Sequence, residues 1–218
     1  MAQNNLGLLY ELGDGVPQDY AVARQWYEKA AAQNHASAQF NLGLLYANGH
    51  GVPQDYAMAR QWYEQAAAQG RANALYTLGE MYAHGQGVPQ DYAKARQWYE
   101  KAAAQGNAGT QYKLGQLYHF ALGVPQNYAE ATKWYEKAAA QGDADAQFSL
   151  GLMYATGDGV PQDDVRAYLW FTLAVAHSTG NKQKSAATNR DGALTRRMTP
   201  AQIAEAQRLV SEWKPKSK

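Results

Sequence analysis

Apolar residues recur at helical spacing in the segment 36–48. Ala38, Leu42 and Leu45 fall at i, i+4 and i+7 and therefore share one face of a helix. Gly49 follows, and glycine accepts the left-handed backbone conformation that ends many helices. The pattern predicts an amphipathic helix, here called helix A, that ends at Gly49.

A second apolar stripe begins after a short turn and predicts another helix, helix B, over residues 56–69. Its members, at i, i+3, i+4 and i+7, are Ala59, Trp62, Tyr63 and Ala66. We expect Pro53 in the first helical turn, where a missing N–H costs nothing, and Asp55 as a cap or a charge at the positive helix end. We expect Gly70 to end helix B, as Asn34 does in the preceding copy of the pattern.

The pattern of two helices repeats five times with a period of 36 residues. The tetrapeptide Gly-Val-Pro-Gln begins at Gly15, Gly51, Gly87, Gly123 and Gly159. One tryptophan per repeat keeps the same period, at Trp26, Trp62, Trp98, Trp134 and Trp170. A fixed period of this length is the signature of a stacked repeat array, and it predicts an all-α fold of helix–turn–helix repeats.

The aromatic content requires the repeats to stack. One helix pair is too small to bury its rings, each of which carries about 150–250 Å² of surface, whereas neighbouring pairs can bury them jointly. Glycine also recurs inside helix A, where it costs ~1 kcal/mol relative to alanine. These glycines are Gly43, Gly79, Gly115 and Gly151. We expect a ring or a partner helix to pack directly on the backbone at each of them.

The last repeat has a different helix B, because positions that are polar in the first repeat become mostly apolar. The changed residues are Tyr168, Leu169, Thr172 and Leu173. Segment 199–213 is predicted to cover this face as a helix with a Thr199–Gln202 capping box. Its apolar stripe is Ile203, Ala206, Leu209, Val210 and Trp213. Residues 182–197 are predicted to form another helix, weakened at Asn189 and Gly192.

The chain resembles the Sel-one-like repeat family, relatives of the tetratricopeptide repeat. The resemblance rests on Ala-x-Ala-x-x-x-Leu-Gly-x-x-Tyr followed by Gly-x-Gly-Val-Pro-x-Asp-Tyr-x-x-Ala-x-x-Trp-Tyr-x-x-Ala-Ala-x-x-Gly, over residues 2–178. It implies a right-handed α-α superhelical solenoid with helices A on the concave face, and a scaffold or adaptor role, often in bacterial envelope or signalling complexes. A branch of the family that binds or hydrolyses β-lactams is rich in cysteine, which this chain lacks.

We therefore predict three segments. They are five repeats over 1–178 with a truncated first repeat, a C-terminal helical cap over 179–214, and a basic tail over 215–218. Helix A of the first repeat lacks a preceding cap, so we expect an upstream segment, such as one with an export signal, to have been removed. In that case the protein would be periplasmic, on the cell surface or secreted. The uncapped end could also associate with a second copy.

Composition narrows the classes of function. A net charge of +1 creates no field that favours nucleic acid or an anionic membrane, and no apolar run approaches the ~20 residues needed to cross a bilayer. The sequence contains no phosphate loop and no spacing typical of a catalytic triad. Glu80 and His84 lie one turn apart and could share a metal weakly, but an exposed polar pair is the simpler interpretation. We expect no enzyme activity, no cofactor and no metal.

Positions that change between repeats point to a binding surface. In helix A they follow a second stripe, exemplified by Ser37, Asn41, Leu44 and Asn48, offset from the buried one. We call this set of positions the variable stripe. The predicted partner-binding residues, from the stripe and the turn after it, are Asn41, Leu44, Asn48, Thr77, Glu80, His84, Lys113, Gln116, Phe120, Leu122, Ser149, Leu152 and Thr156. Mixed apolar and polar side chains suit a peptide or helix in a groove; simple drift of exposed positions is the alternative.

The fourth repeat has the sharpest irregularity. Its turn reads Phe120-Ala121-Leu122-Gly123 where the other repeats have Gly-x-Gly. Alanine in place of the first glycine costs roughly 1 kcal/mol if the backbone needs a positive φ there. Phe120 and Leu122 could anchor a partner, or they could pack on each other and repair the turn.

The sequence thus favours a non-enzymatic scaffold or adaptor that binds a protein or peptide along the concave face. The alternative is a module that binds cell-wall or other polysaccharide in the bacterial envelope, and Phe120 is its strongest candidate for stacking on a sugar.

Overall fold

The computed structural model describes residues 1–215, and every regular element in that range is helical. Helices A are α1 (Ala2–Leu12), α3 (Ala36–Asn48), α5 (Ala72–His84), α7 (Ala108–His119) and α9 (Ala144–Thr156). Helices B are α2 (Tyr20–Ala31), α4 (Tyr56–Ala68), α6 (Tyr92–Ala103), α8 (Tyr128–Ala139) and α10 (Asp164–His177). The C-terminal elements are α11 (Gly180–Asn189), a π-helical turn (Arg190–Leu194), α12 (Thr195–Arg197) and α13 (Pro200–Glu212).

The helices form two compact units, residues 1–105 with α1 to α6 and residues from 106 onward with α7 to α13. In the first unit each helix packs against the next one along the chain. In the second unit α7 to α11 do the same, and α13 returns to pack against α10. Within each unit, the predicted stacking of helix–turn–helix repeats in sequence order is confirmed.

The turn between helices A and B shows one confirmed prediction and one error. Gly49 and Gly51 both have positive φ, 70° and 69°, so both need the freedom of glycine. Asp55 caps helix B by accepting a hydrogen bond of 2.9 Å from the Met58 N–H. Pro53 does not lie in the first helical turn as predicted. Helix B begins at Tyr56, because Asp55 has the extended conformation of an N-cap.

The glutamine of Gly-Val-Pro-Gln links the two helices. In the second repeat Gln54 donates from Nε2 to the Ala47 carbonyl at 2.7 Å and to the Tyr56 hydroxyl at 3.1 Å. The Ala47 carbonyl lies in the last turn of helix A, where carbonyl groups have no hydrogen-bond donor within the helix. Gln18, Gln90, Gln126 and Gln162 make the same bond to a carbonyl. The sequence analysis gave this residue no role.

A tyrosine fills the core of each repeat, rather than the tryptophan before it. Tyr27, Tyr63, Tyr99, Tyr135 and the last repeat's Phe171 expose at most 1% of their surface. The tryptophans are half-buried at the edge of the core. The prediction of a ring on the helix A glycine is confirmed, because a Cβ on Gly43 would lie 2.4 Å from Cε1 of Tyr63. Gly79, Gly115 and Gly151 make the equivalent contact.

The C-terminal helices follow the predicted pattern. The Thr199–Gln202 capping box is present at the start of α13, and Ala206 is fully buried. The helix over residues 182–197 is interrupted by a kink at Gly192, as predicted. The division into five repeats, cap and tail stays a prediction. Pro215, the first residue of the predicted tail, is exposed and non-helical, while the rest of the tail, 216–218, lies outside the described residues.

Candidate functional site

In the first unit, the variable stripe lies on α3 and α5 beside the buried face. Asn41 and Leu44 on α3 are half-buried and Asn48 is exposed, whereas Leu42 and Leu45 of the same helix are completely buried. On α5 the order is the same, with Thr77 and Glu80 half-buried and His84 exposed. Constant and variable positions of these helices therefore have different environments.

In the second unit, the variable stripe lies on α7 and α9 and continues into the turn after α7. The half-buried members are Lys113, Gln116, Leu122 and Ser149. The exposed members are Phe120, Leu152 and Thr156. Phe120 is the most exposed apolar side chain of the set, with 58% of its surface accessible.

Hydrogen bonds hold the polar groups of the stripe in the first unit. Asn41 donates from Nδ2 to Oδ1 of Asn4 at 3.2 Å, which joins α3 to α1. The hydroxyl of the buried Tyr99 donates to the Glu80 carboxylate. Burial, reinforced by that bond, raises the pKa of Tyr99 far above its ordinary value, so the hydroxyl stays protonated and remains a donor. Core tyrosines thus orient polar groups at the base of the stripe.

Tyr27 repeats this arrangement at a different position. Its hydroxyl donates to the Glu11 carboxylate of α1, and its pKa is raised chiefly by burial and then by Glu11. Glu11 was not among the predicted site residues, because a lone glutamate near the end of a helix carries no sequence signal.

Glu80 and His84 form the surface pair that their spacing suggested. His84 Nε2 lies 3.5 Å from Glu80 Oε2. No group of three or more His, Asp or Glu side chains that could hold a metal occurs among residues 1–215. The pair by itself therefore does not make a metal site.

The turn of the fourth repeat is built on a stacked pair of rings. Phe120 stacks on His119 with ring centroids 4.4 Å apart, and His119 in turn meets the edge of Tyr128 at 5.2 Å. Burial lowers the pKa of His119, which favours the neutral ring. Ala121 has φ 57°, so the backbone keeps the left-handed conformation that glycine has in the other repeats. An exposed phenyl ring is thereby fixed on a rigid support.

Buried glutamines form a second set of residues that the sequence analysis missed. Gln39, Gln111 and Gln147 on helices A expose at most 6% of their surface. Gln69 donates to Oε1 of Gln39 at 2.6 Å, and Gln141 donates to Oε1 of Gln111 at 2.8 Å. In the second and fourth repeats these bonds tie the end of helix B to its own helix A. The spacing of the glutamines by multiples of 36 residues was the available signal.

A cavity of about 300 Å³ lies between α9, α10 and α11 in the second unit. Phe148 and Asp145 line it from α9, Ala174 and Ser178 from α10, and Lys182 and Ser185 from α11. No sequence motif marked this place, because it depends on how α11 packs after the last repeat.

The helices stack in pairs, and this architecture places the chain among the helical repeat proteins. Within residues 1–215 the variable face of these helices carries no catalytic motif. The chain belongs to the Sel1 repeat family, whose model matches residues 1–35, 36–70, 72–107, 108–143 and 144–178. Sel1 repeats are generally protein–protein interaction modules and generally non-catalytic. No curated protein shows significant similarity to the chain.

Two solved structures show how close the likeness is. The chain is 39% identical to a protective antigen of uropathogenic Escherichia coli that displays an SLR fold, with a TM-score of 0.84. That match covers 97% of this chain but 45% of the antigen, so the chain spans less than half its length. A Sel1 repeat protein from Oxalobacter formigenes is 33% identical with a TM-score of 0.82, and the match covers 98% of this chain and 87% of that one.

Proposed function

We propose that the protein is a non-enzymatic scaffold that binds a segment of a partner protein along the variable stripe of its helices A. One observation carries the proposal: on α3, α5, α7 and α9 the constant Leu-Gly positions are buried, whereas the members of the variable stripe keep part of their surface accessible. The constant set is occupied in packing, which leaves the variable set to contact a partner. The general role of Sel1 repeats in protein–protein interaction supports the same conclusion.

The chemistry of the stripe suits a polypeptide. Asparagine and glutamine amides such as Asn41, Asn48 and Gln116 both donate and accept hydrogen bonds, as the backbone of an extended segment does. Phe120 and Leu152 add exposed apolar surface, which is typical of the anchors that dominate binding energy. No helix in residues 1–215 has both the length and the apolarity required to traverse a bilayer.

A pair of charge-matched variants tests the proposal. Phe120→Asp with Lys113→Glu changes the stripe, whereas Gln97→Asp with Lys133→Glu makes the same change in charge at exposed positions of helices B. The full chain and both variants would be used to capture partners from the source cell, and the affinity of the captured protein would then be measured by calorimetry. Circular dichroism would verify that helix content is unchanged.

We expect the stripe variant to lose the partner and the helix B variant to keep it with unchanged affinity. A partner that binds both variants equally, or that is lost only with the helix B variant, would contradict the proposal.

A further inference from the structure

The cavity in the second unit lies where the array of repeats stops following its own pattern. Gly180, the first residue of α11, stands three repeat lengths after Ala72, the first residue of α5. Helix α11 packs against α10 as α5 packs against α4, so it takes the place of helix A of a further repeat. Its sequence differs from that of α5, however: the completely buried Leu78 of α5 corresponds to Ala186.

The equivalent place in the first unit contains an arginine side chain. Arg71, which precedes α5, donates from Nη1 to the Ser37 hydroxyl at 2.7 Å. Its guanidinium carbon lies 5.1 Å from the centre of the Phe40 ring, a cation–π arrangement. Phe40 is consequently 9% exposed. One repeat of this protein therefore already holds a guanidinium group at this position.

The last repeat keeps the ring but has no arginine at the position that corresponds to Arg71. Phe148 corresponds to Phe40 and packs on Phe171 at 5.7 Å, much as Phe40 packs on Tyr63 at 5.4 Å. Thr179 stands at the position of Arg71. Asp145 replaces Ser37, which changes a neutral acceptor into a carboxylate. The aromatic ring is therefore retained as Phe148, and the hydrogen-bond acceptor becomes the charged Asp145. The arginine side chain that fills the equivalent place in the first unit is missing.

We propose that this cavity binds an arginine side chain of the partner polypeptide, stacked on Phe148 and paired with Asp145. The inference rests on the proposed function, because Ser149 of the variable stripe lies one helical turn beyond Asp145. A segment that follows the stripe on α9 would therefore pass the mouth of the cavity. The planar guanidinium suits the site better than an ammonium, because it can stack on a ring and pair with a carboxylate at the same time.

The charges at the mouth also favour an incoming cation. Asp145 is paired with Lys182 at 2.7 Å, but the lysine side chain is 68% exposed, and pairs of this kind contribute little. Asp143, which caps α9, and His177 line an adjoining pocket that shares Asp145 and Lys182 with the cavity. Two carboxylates therefore lie near one ammonium. An arginine that enters the cavity displaces Lys182 into water and takes over its pairing with Asp145.

Nuclear magnetic resonance can test the site without knowledge of the partner. The full chain would be titrated with N-acetyl-arginine amide, with N-acetyl-citrulline amide as a neutral analogue of similar shape and N-acetyl-lysine amide as a cation that is not planar. We expect saturable shifts of the amides of Ser178, Lys182 and Ser185 with the arginine derivative, and affinities about tenfold weaker, or ~1.4 kcal/mol, with the other two. Absence of saturation with arginine, or equal binding of citrulline, would overturn the proposal.

Two substitutions, at the half-buried Asp145 and the exposed Lys182, should act in opposite directions. Asp145→Asn removes the charge that pairs with the guanidinium and should weaken binding of the arginine derivative about tenfold. Lys182→Gln removes the competing ammonium and should strengthen it. If Lys182→Gln weakens binding or Asp145→Asn leaves it unchanged, the assigned pairing is wrong. Failure of the small probe would leave the stripe proposal untouched, because that is tested separately with the captured partner.

Discussion

At the scale of single residues, the core depends on a contact between a ring and a glycine. In the second repeat, the Tyr63 ring lies directly on the backbone of Gly43, and a Cβ there would be 2.4 Å from the ring. The periodicity placed Trp62 and Tyr63 on one broad face of helix B, but it could not tell which ring lies deeper. That depends on the position of the glycine in helix A, a contact between two helices that the sequence of one helix does not contain.

Removal of the two rings should therefore have unequal effects. We expect Tyr63→Ala to cost about 3–5 kcal/mol, because it opens a cavity in a fully buried position. Trp62→Ala should cost less, because that side chain is half-buried. Urea unfolding of both variants measures the difference, and an equal or larger cost for Trp62→Ala would contradict the assignment of the core.

Alanine at Gly43 should destabilise the protein although alanine favours helices. The gain of ~1 kcal/mol in helix propensity is smaller than the overpacking cost of about 1–3 kcal/mol expected when the added methyl group displaces the Tyr63 ring. Asn48→Ala, at an exposed position of the same helix and away from the ring, serves as the control. A Gly43→Ala chain as stable as the natural one would show that the ring is not confined.

The buried tyrosines should also make the fold sensitive to alkali. Burial raises the pKa of Tyr63 above its unfolded value of about 10, so the folded state holds its proton more tightly. The stability that this contributes is complete below pH ~10 and is lost as pH rises further. Tyr63→Phe, which copies Phe171 of the last repeat, should reduce the slope of unfolding free energy against pH above 10. An unchanged slope would rule out titration of Tyr63 as a cause.

At the scale of elements, the helix boundaries follow from capping. The sequence analysis identified Gly49 as the end of helix A and Asp55 as a cap, because both signals are local. It placed Pro53 wrongly, since proline is equally suited to the extended residues before an N-cap. The bond from Gln54 to Ala47 joins residues seven apart in a folded turn, which no pattern of apolar residues can reveal.

The turn of the fourth repeat should gain stability from glycine. Ala121 holds a positive φ of 57°, a conformation that glycine adopts without a clash of Cβ. We expect Ala121→Gly to stabilise the protein by about 1 kcal/mol and the reciprocal Gly49→Ala to destabilise it by a similar amount. Thermal unfolding of the two variants measures this, and a loss of stability in Ala121→Gly would mean that the alanine methyl group makes contacts that outweigh the strain.

At the scale of the whole molecule, the period of 36 residues was enough to predict the fold class, the order of stacking within each unit and the face that varies. The candidate site was predictable only as a stripe. Which members are accessible depends on neighbouring helices, as the 58% exposure of Phe120 shows. The cavity at Phe148 was not predictable, because it depends on how α11 packs after the last repeat, and no sequence pattern states that.

The most direct test of the central claim uses cysteines introduced into a chain that has none. Single cysteines would replace Asn48 and Thr156 on the variable stripe and Gln61 and Lys133 on helices B, all exposed positions. Their alkylation rates would be measured with and without the captured partner. The account predicts that the partner slows alkylation at 48 and 156 and leaves 61 and 133 unchanged. Protection confined to 61 and 133 would contradict it.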